Sequence, residues 1–187
     1  MKNYKLIEWS NKLNLESFYK SAKEKNYINN SSQKNLIDCF KNEKRFNVWI
    51  LYDHFEPVGS VAAHSFDDVM GEGSYRVLAR CCVINGNRPN HGLGTAKRLI
   101  SEHQNVNDQF YLPKCIEWAN SDKLYVTSNQ NSEGSQKLVD KIYFPTLQKK
   151  GIVEKIKHIR YRNTDQVVWK INIKEFQNNL RRFKRWQ

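Results

Sequence analysis

The order of elements along this 187-residue chain predicts a mixed α/β fold, βααβββαβαββ, in which a mostly antiparallel central sheet is flanked by helices. Three observations carry that prediction. Short runs of aromatic and branched residues alternate with tight polar turns, as in antiparallel strands. Apolar residues recur at helical spacing between the first of those runs and again later. One passage, Cys81 to Ile100, goes from an apolar run through "NGNRPNHGLGT" directly into a helical pattern, a strand–helix–strand crossover in the second half of the chain.

Tyr4 to Trp9 alternates as an opening strand. Leu15, Phe18, Tyr19 and Ala22 fall at i, i+3, i+4 and i+7, the stripe of an amphipathic helix. Ser31 and Ser32 can cap a second helix with Leu36, Ile37 and Phe40. Phe46 to Tyr52 is a strand by composition, residues 53–57 turn the chain, and Val58 to Phe66 returns it. Asp67 to Ser74, with Gly71 and Gly73, reads as a loop before the strand Tyr75 to Ile84. Ala96, Leu99, Ile100 and His103 mark a helix beginning near Thr95. The insertion Asn105 to Ser121 carries no readable motif, and Lys123 to Thr127 is the next strand. Ser132 caps a helix with Leu138 and Ile142. Pro145 stops or kinks that helix and fits the first turn of a short second one ending at Gly151. Ile152 to Tyr161 and Gln166 to Ile173 close the sheet as a hairpin. Residues 1–173 read as a single domain and 174–187 as a basic amphipathic tail.

Composition excludes several classes. With 39% hydrophobic and 27% charged residues the chain is globular and long enough for a substantial core. No apolar run approaches membrane-spanning length, and Met1-Lys2 leads into a polar strand, so neither a membrane span nor a signal peptide is expected. Cys39, Cys81, Cys82 and Cys115 lack zinc-type spacing, and no metal site is expected. Reduced cysteines fit a cytoplasmic protein. The formal charge of +12 favours anionic partners: nucleic acid, an acidic protein face or a phosphorylated cofactor.

The two glycines Gly92 and Gly94 sit where a strand feeds a helix. A helix start leaves backbone N–H groups unpaired and partly positive, and glycine lets a phosphate approach them. Asn90 to Thr95 would gather such donors, with Arg88 and Lys97 adding charge; a tight turn needing a positive φ would use the same glycines. In its setting, His91-Gly92-Leu93-Gly94-Thr95 resembles the phosphate loop of the GNAT superfamily, the Gcn5-related acyl-CoA N-acyltransferases. That loop reads Q/R-x-x-G-x-G/A between the family's fourth strand and third helix. Here Pro89 stands at the Gln/Arg position, one place after Arg88. No Gly-Lys-Ser/Thr comes after it, and the third glycine of a dinucleotide fingerprint is missing.

The resemblance implies acetyl-CoA as acyl donor and an amine-bearing acceptor, either a small molecule or a protein. It implies that backbone groups near Cys82, Val83 and Ile84 pair with the pantetheine amides and that the loop amides hold the pyrophosphate. It also implies a cofactor-holding asparagine just after the fifth strand, where Asn129 and Asn131 stand. Tyr143, on the last helix, is the candidate acid for the leaving thiolate, although the family's tyrosine position falls near Leu147. The fourth strand has no carboxylate, which leaves ordered water or His64 as the candidate base. Arg76 and Arg80 share a strand face and either grip an anionic substrate or carry surface charge. In the tail, Phe176, Leu180 and Phe183 form a stripe among arginines and lysines. It either docks on the sheet or meets nucleic acid or an acidic partner. Two functions therefore compete: an acyl-CoA-dependent N-acyltransferase, and a non-catalytic basic α/β module that binds nucleic acid or an acidic protein.

Overall fold

A computed structural model describes residues 4–8, 44–53, 56–83, 111–131, 141 and 144–184. The strands described, in chain order, are β1 (Tyr4–Glu8), β2 (Phe46–Asp53), β3 (Glu56–Ser65), β4 (Tyr75–Val83), β5 (Leu124–Asn129), β6 (Val153–Tyr161) and β7 (Thr164–Ile171). The helices described are α1 (Asp67–Met70), α2 (Tyr111–Ala119), α3 (Phe144–Lys149) and α4 (Ile173–Lys184). The strands form one sheet of order β1-β2-β3-β4-β5-β7-β6. The pairs β1–β2, β2–β3, β5–β7 and β6–β7 are antiparallel, and β4–β5 is parallel, as the mixed α/β reading requires. The helices expected over 15–22 and 32–40, near Thr95 and after Ser132 lie outside the described residues. No helix among the described residues is long and apolar enough to cross a membrane.

Two compact units divide the chain: Met1–Ser65 with Leu78–Cys115, and Phe66–Val77 with Ile116–Gln187. In the first unit, Val48, Trp49 and Ile50 of β2 are buried, and so are Val61, Ala62 and Ala63 of β3. Successive residues point to opposite faces of a strand, so both faces of this pair are covered. Asn47 is buried too, and its Oδ1 accepts the Val48 N–H at 2.8 Å. Leu112 and Cys115, at the start of α2, are buried as well.

The second unit holds apolar groups on both faces of β7. Val168 packs with Phe66 and Tyr125, and Val69, Met70, Ile159 and Tyr161 close around them. On the other face, Trp169 meets the Phe144 ring edge-on at 5.3 Å.

The helix ends show why the chain turns where it does. Pro145 lies in the first turn of α3, where a missing N–H costs nothing. Gly151 ends that helix at φ 72°, with Gly151 N–H donating to Gln148 O and Ile152 N–H to Leu147 O. This is the Schellman pattern, and buried Leu147 and Ile152 supply its apolar contact. At the β6–β7 turn, Arg162 (φ 52°) and Asn163 (φ 60°) are both left-handed, as a two-residue hairpin of matching twist needs. Asn172 caps α4, its Oδ1 accepting the Glu175 N–H at 3.2 Å.

Three segments differ from the sequence expectation. The loop at Asp67–Ser74 contains the short helix α1, stopped by Gly71 at φ 88° and stapled by the Ser74 N–H donating to Asp67 Oδ1. The insertion Asn105–Ser121 contains α2, whose buried residues Leu112, Cys115 and Ala119 form an i, i+3, i+7 stripe. The last strand ends at Ile171, because Asn172 starts a helix there, and Phe176 of that helix is buried.

Candidate active site

The start of β4 is held firmly within the second unit. Tyr75 N–H donates to Lys123 O at 2.9 Å, and the Tyr75 ring meets Trp118 edge-on at 5.4 Å. Ser121 Oγ donates to Gly73 O at 2.6 Å and accepts the Lys123 N–H at 3.1 Å. From this anchor the parallel pairing with β5 covers Tyr75↔Leu124 and Arg76↔Tyr125.

Two residues later the strand does something unusual. Leu78 has φ 52° in the middle of the nine-residue β4. A left-handed backbone at a non-glycine residue costs about 1–2 kcal/mol, and it persists only where surrounding packing fixes it. Leu78 is itself 9% exposed and sits between Val77 and Ala79, both buried. Such an irregularity re-aims the next residues in the way a bulge does. Ala79–Val83 continue the strand from there, and Cys82 and Val83 are its last two residues.

The other anticipated residues fall in several places. Cys82 and Val83 lie in β4. Ile84, Arg88, Asn90, His91, Gly92, Leu93, Gly94, Thr95 and Tyr143 lie outside the described residues. His64, opposite Phe46 in the β2–β3 ladder, is only 1% exposed. Its Nδ1 is 2.7 Å from Ser65 O. A carbonyl only accepts, so Nδ1 carries a proton, and Nε2 is the remaining ring nitrogen. That Nε2 is buried, so proton exchange with an acceptor amine needs an opening beside β3. Asn129 ends β5 and its Oδ1 accepts the Asn131 N–H at 2.8 Å, an Asx turn, while Asn131 itself is exposed. Arg76 lays its guanidinium 5.4 Å from the centroid of Tyr161, whose ring also has Arg162 at 5.1 Å.

Leu78 is a backbone feature that sequence reasoning missed, and nothing in the sequence signals it, since a bulky residue such as leucine rarely takes a left-handed backbone.

No family model matches the sequence, and no curated protein matches it. Solved structures do. An aminoglycoside acetyltransferase in complex with coenzyme A superposes with a TM-score of 0.59 at 10% identity, covering 94% of this chain and 98% of its own. A protein from Desulfovibrio desulfuricans described as an acetyltransferase of the GNAT family gives 0.52 at 7% identity, covering 91% and 99%. An acyl-CoA N-acyltransferase from Pseudomonas aeruginosa gives 0.50 at 9% identity, covering 90% and 98%. Strand order, the parallel β4–β5 pair and these superpositions agree: the chain has the fold of the GNAT acetyltransferases.

Proposed function

We propose that the protein is an acyl-CoA-dependent N-acyltransferase that moves an acetyl group from acetyl-CoA to an amine. The observation that carries this reading is the fold shared with acetyltransferases such as the one solved in complex with coenzyme A, and within it β4 holds the left-handed Leu78, two residues after Arg76, which pairs with Tyr125. In the sequence this strand runs on into the His91-Gly92-Leu93-Gly94-Thr95 loop. In this reading the backbone near Cys82 and Val83 at the end of β4 offers amides and carbonyls to pantetheine, and glycine-spaced amides at a helix start offer donors to a pyrophosphate. Both ends of one ligand are then provided for by consecutive stretches of chain.

In the transfer the amine lone pair attacks the thioester carbonyl carbon, a C–N bond forms, the C–S bond breaks, and the sulfur takes a proton. Holding amine and thioester in contact supplies much of the rate, and hydrogen-bond donors aimed at the carbonyl oxygen supply more. Tyr143 is assigned as the proton donor to sulfur. The amine proton leaves through water, or to His64 Nε2 when that nitrogen is opened to the acceptor. The basic surface suits CoA, itself polyanionic, as well as it suits a macromolecular partner.

Radiolabelled acetyl-CoA offered to pooled amines, aminoacyl compounds and protein extracts tests the proposal. Label transferred by the wild type and lost in Gly94→Trp supports it. A folded protein that binds no CoA and transfers no label supports the non-catalytic binding module instead.

A further inference from the structure

The edge of the sheet at β6 carries a charge pattern that acyl transfer does not use. Between Lys149 and Arg162 stand six lysines and arginines against one acid, Glu154. Lys155, Lys157, His158 and Arg160 are all exposed. Strict alternation along a strand would put Lys155 and Lys157 on one face and His158 and Arg160 on the other. The register shows otherwise. Lys155 pairs with Trp169, Lys157 with Val168, His158 with Val167 and Arg160 with Asp165. Ile156 is the extra residue of a bulge, and it brings Lys155 into phase with His158 and Arg160. Three basic side chains therefore share one face at intervals of two strand positions, roughly 6.7 Å each. The Lys155 ammonium is further oriented over the Trp169 ring, 5.9 Å from its centroid.

Lysine and a bulge on an edge strand also discourage pairing with other chains, and that need alone explains a scattered charge or two. It does not require the charges to be brought onto one face. We propose that this face of the edge, with Lys155, His158 and Arg160, binds the phosphate backbone of a single-stranded nucleic acid. Two cations with an imidazole hydrogen-bond donor between them, evenly spaced, complement a regular polyanion. An acidic protein would need an apolar or aromatic centre to its interface. Ile156, 39% exposed, is the only large hydrophobic exposed among the described residues. Phosphate contacts, by contrast, supply affinity without any apolar anchor. Asp165 across from Arg160 and Glu154 on the opposite face are the acids nearest the row, and they limit its affinity. Contacts to phosphate carry no sequence information, so binding through this row is insensitive to sequence.

Fluorescence anisotropy of the full chain with labelled 20-nucleotide single-stranded RNA and DNA, titrated with salt, tests the proposal. Two phosphate contacts, at Lys155 and Arg160, give a salt slope of about −1.4, or roughly 7-fold weaker binding between 50 and 200 mM salt. The double variant Lys155→Gln/Arg160→Gln should lower that slope by about 1.4 and leave the thermal midpoint and CoA affinity unchanged. Wild-type binding that is absent at 50 mM salt overturns the proposal. So does a slope that the double variant leaves intact while Arg181→Gln/Arg182→Gln lowers it, which puts the contact on α4. Displacement of the probe by polyglutamate at equal charge concentration overturns it in favour of an acidic protein.

Discussion

The left-handed Leu78 makes a quantitative prediction that needs no ligand. In an ordinary buried strand position, replacing alanine by glycine loses a methyl, about 0.8 kcal/mol, on transfer grounds. It loses about 0.5–1 kcal/mol more because glycine gives up more backbone freedom on folding. Ala79, buried beside Leu78 with no positive φ, should show that full penalty as Ala79→Gly, about 1.5 kcal/mol in all. At Leu78 the sum changes. Leu78→Ala keeps the left-handed strain, whereas Leu78→Gly releases about 1–2 kcal/mol of it. The two variants should therefore be equally stable to within about 0.5 kcal/mol, although both fall below the wild type by the about 2–5 kcal/mol of a truncated core leucine. Urea unfolding of the wild type and the three variants, with m-values compared, reads these differences directly. If Leu78→Gly lies below Leu78→Ala by as much as Ala79→Gly lies below the wild type, β4 is not strained at Leu78. The irregularity in β4 would then be absent.

The same geometry sets three further outcomes. Gly151→Ala should cost about 1–2 kcal/mol in urea unfolding, because φ is 72° there while the added Cβ meets only Glu175 Cγ at 4.0 Å; the loss is conformational and not steric. A chain cut after Ile173 removes buried Phe176 and the helix that Asn172 caps, so its thermal midpoint should fall and its CoA binding with it; an unchanged midpoint would make the tail a separate appendage. Tyr143→Phe should lower turnover more than it raises KM, measured where chemistry is rate-limiting; unchanged turnover would remove the tyrosine from the reaction.

The features legible in the sequence were local; of those it concealed, the Asn172 cap and α2 were local too, and the rest depend on pairing and packing between distant segments. Pro145 fixes φ and Gly151 takes a left-handed backbone, so the limits of α3 are written in two residues. The β6–β7 hairpin and the cap-bearing helix after it are likewise set by neighbours a few positions apart, although the capping role of Asn172 went unread. The helix α2 escaped notice because its buried stripe includes Cys115 and Ala119, small residues that weigh little in an apolar count, and because Pro113 in its first turn reads as a breaker. The charge phase on β6 depends on a bulge at Ile156, which exists only relative to β7. Leu78 is the extreme case. Its backbone is imposed by strand pairing and packing, against its own preference. For the site, the glycine loop and the end of β4 are expectations from residue types and order, and the loop lies outside the described residues. His64 as a buried ring with its proton on Nδ1, and Asn129 as the acceptor of a turn, depend on contacts that only the folded chain makes.

The central claim is that this fold holds CoA, and the most direct test is calorimetric titration of the wild-type chain with CoA and acetyl-CoA, paired with thermal unfolding. The account predicts saturable one-to-one binding and a midpoint that climbs with ligand, equivalent to about 2.7 kcal/mol of stabilisation at a hundred times Kd, with the effect much reduced in Gly92→Trp and Gly94→Trp. A cooperatively folded wild type that shows no heat of binding and no midpoint shift at millimolar CoA would contradict it.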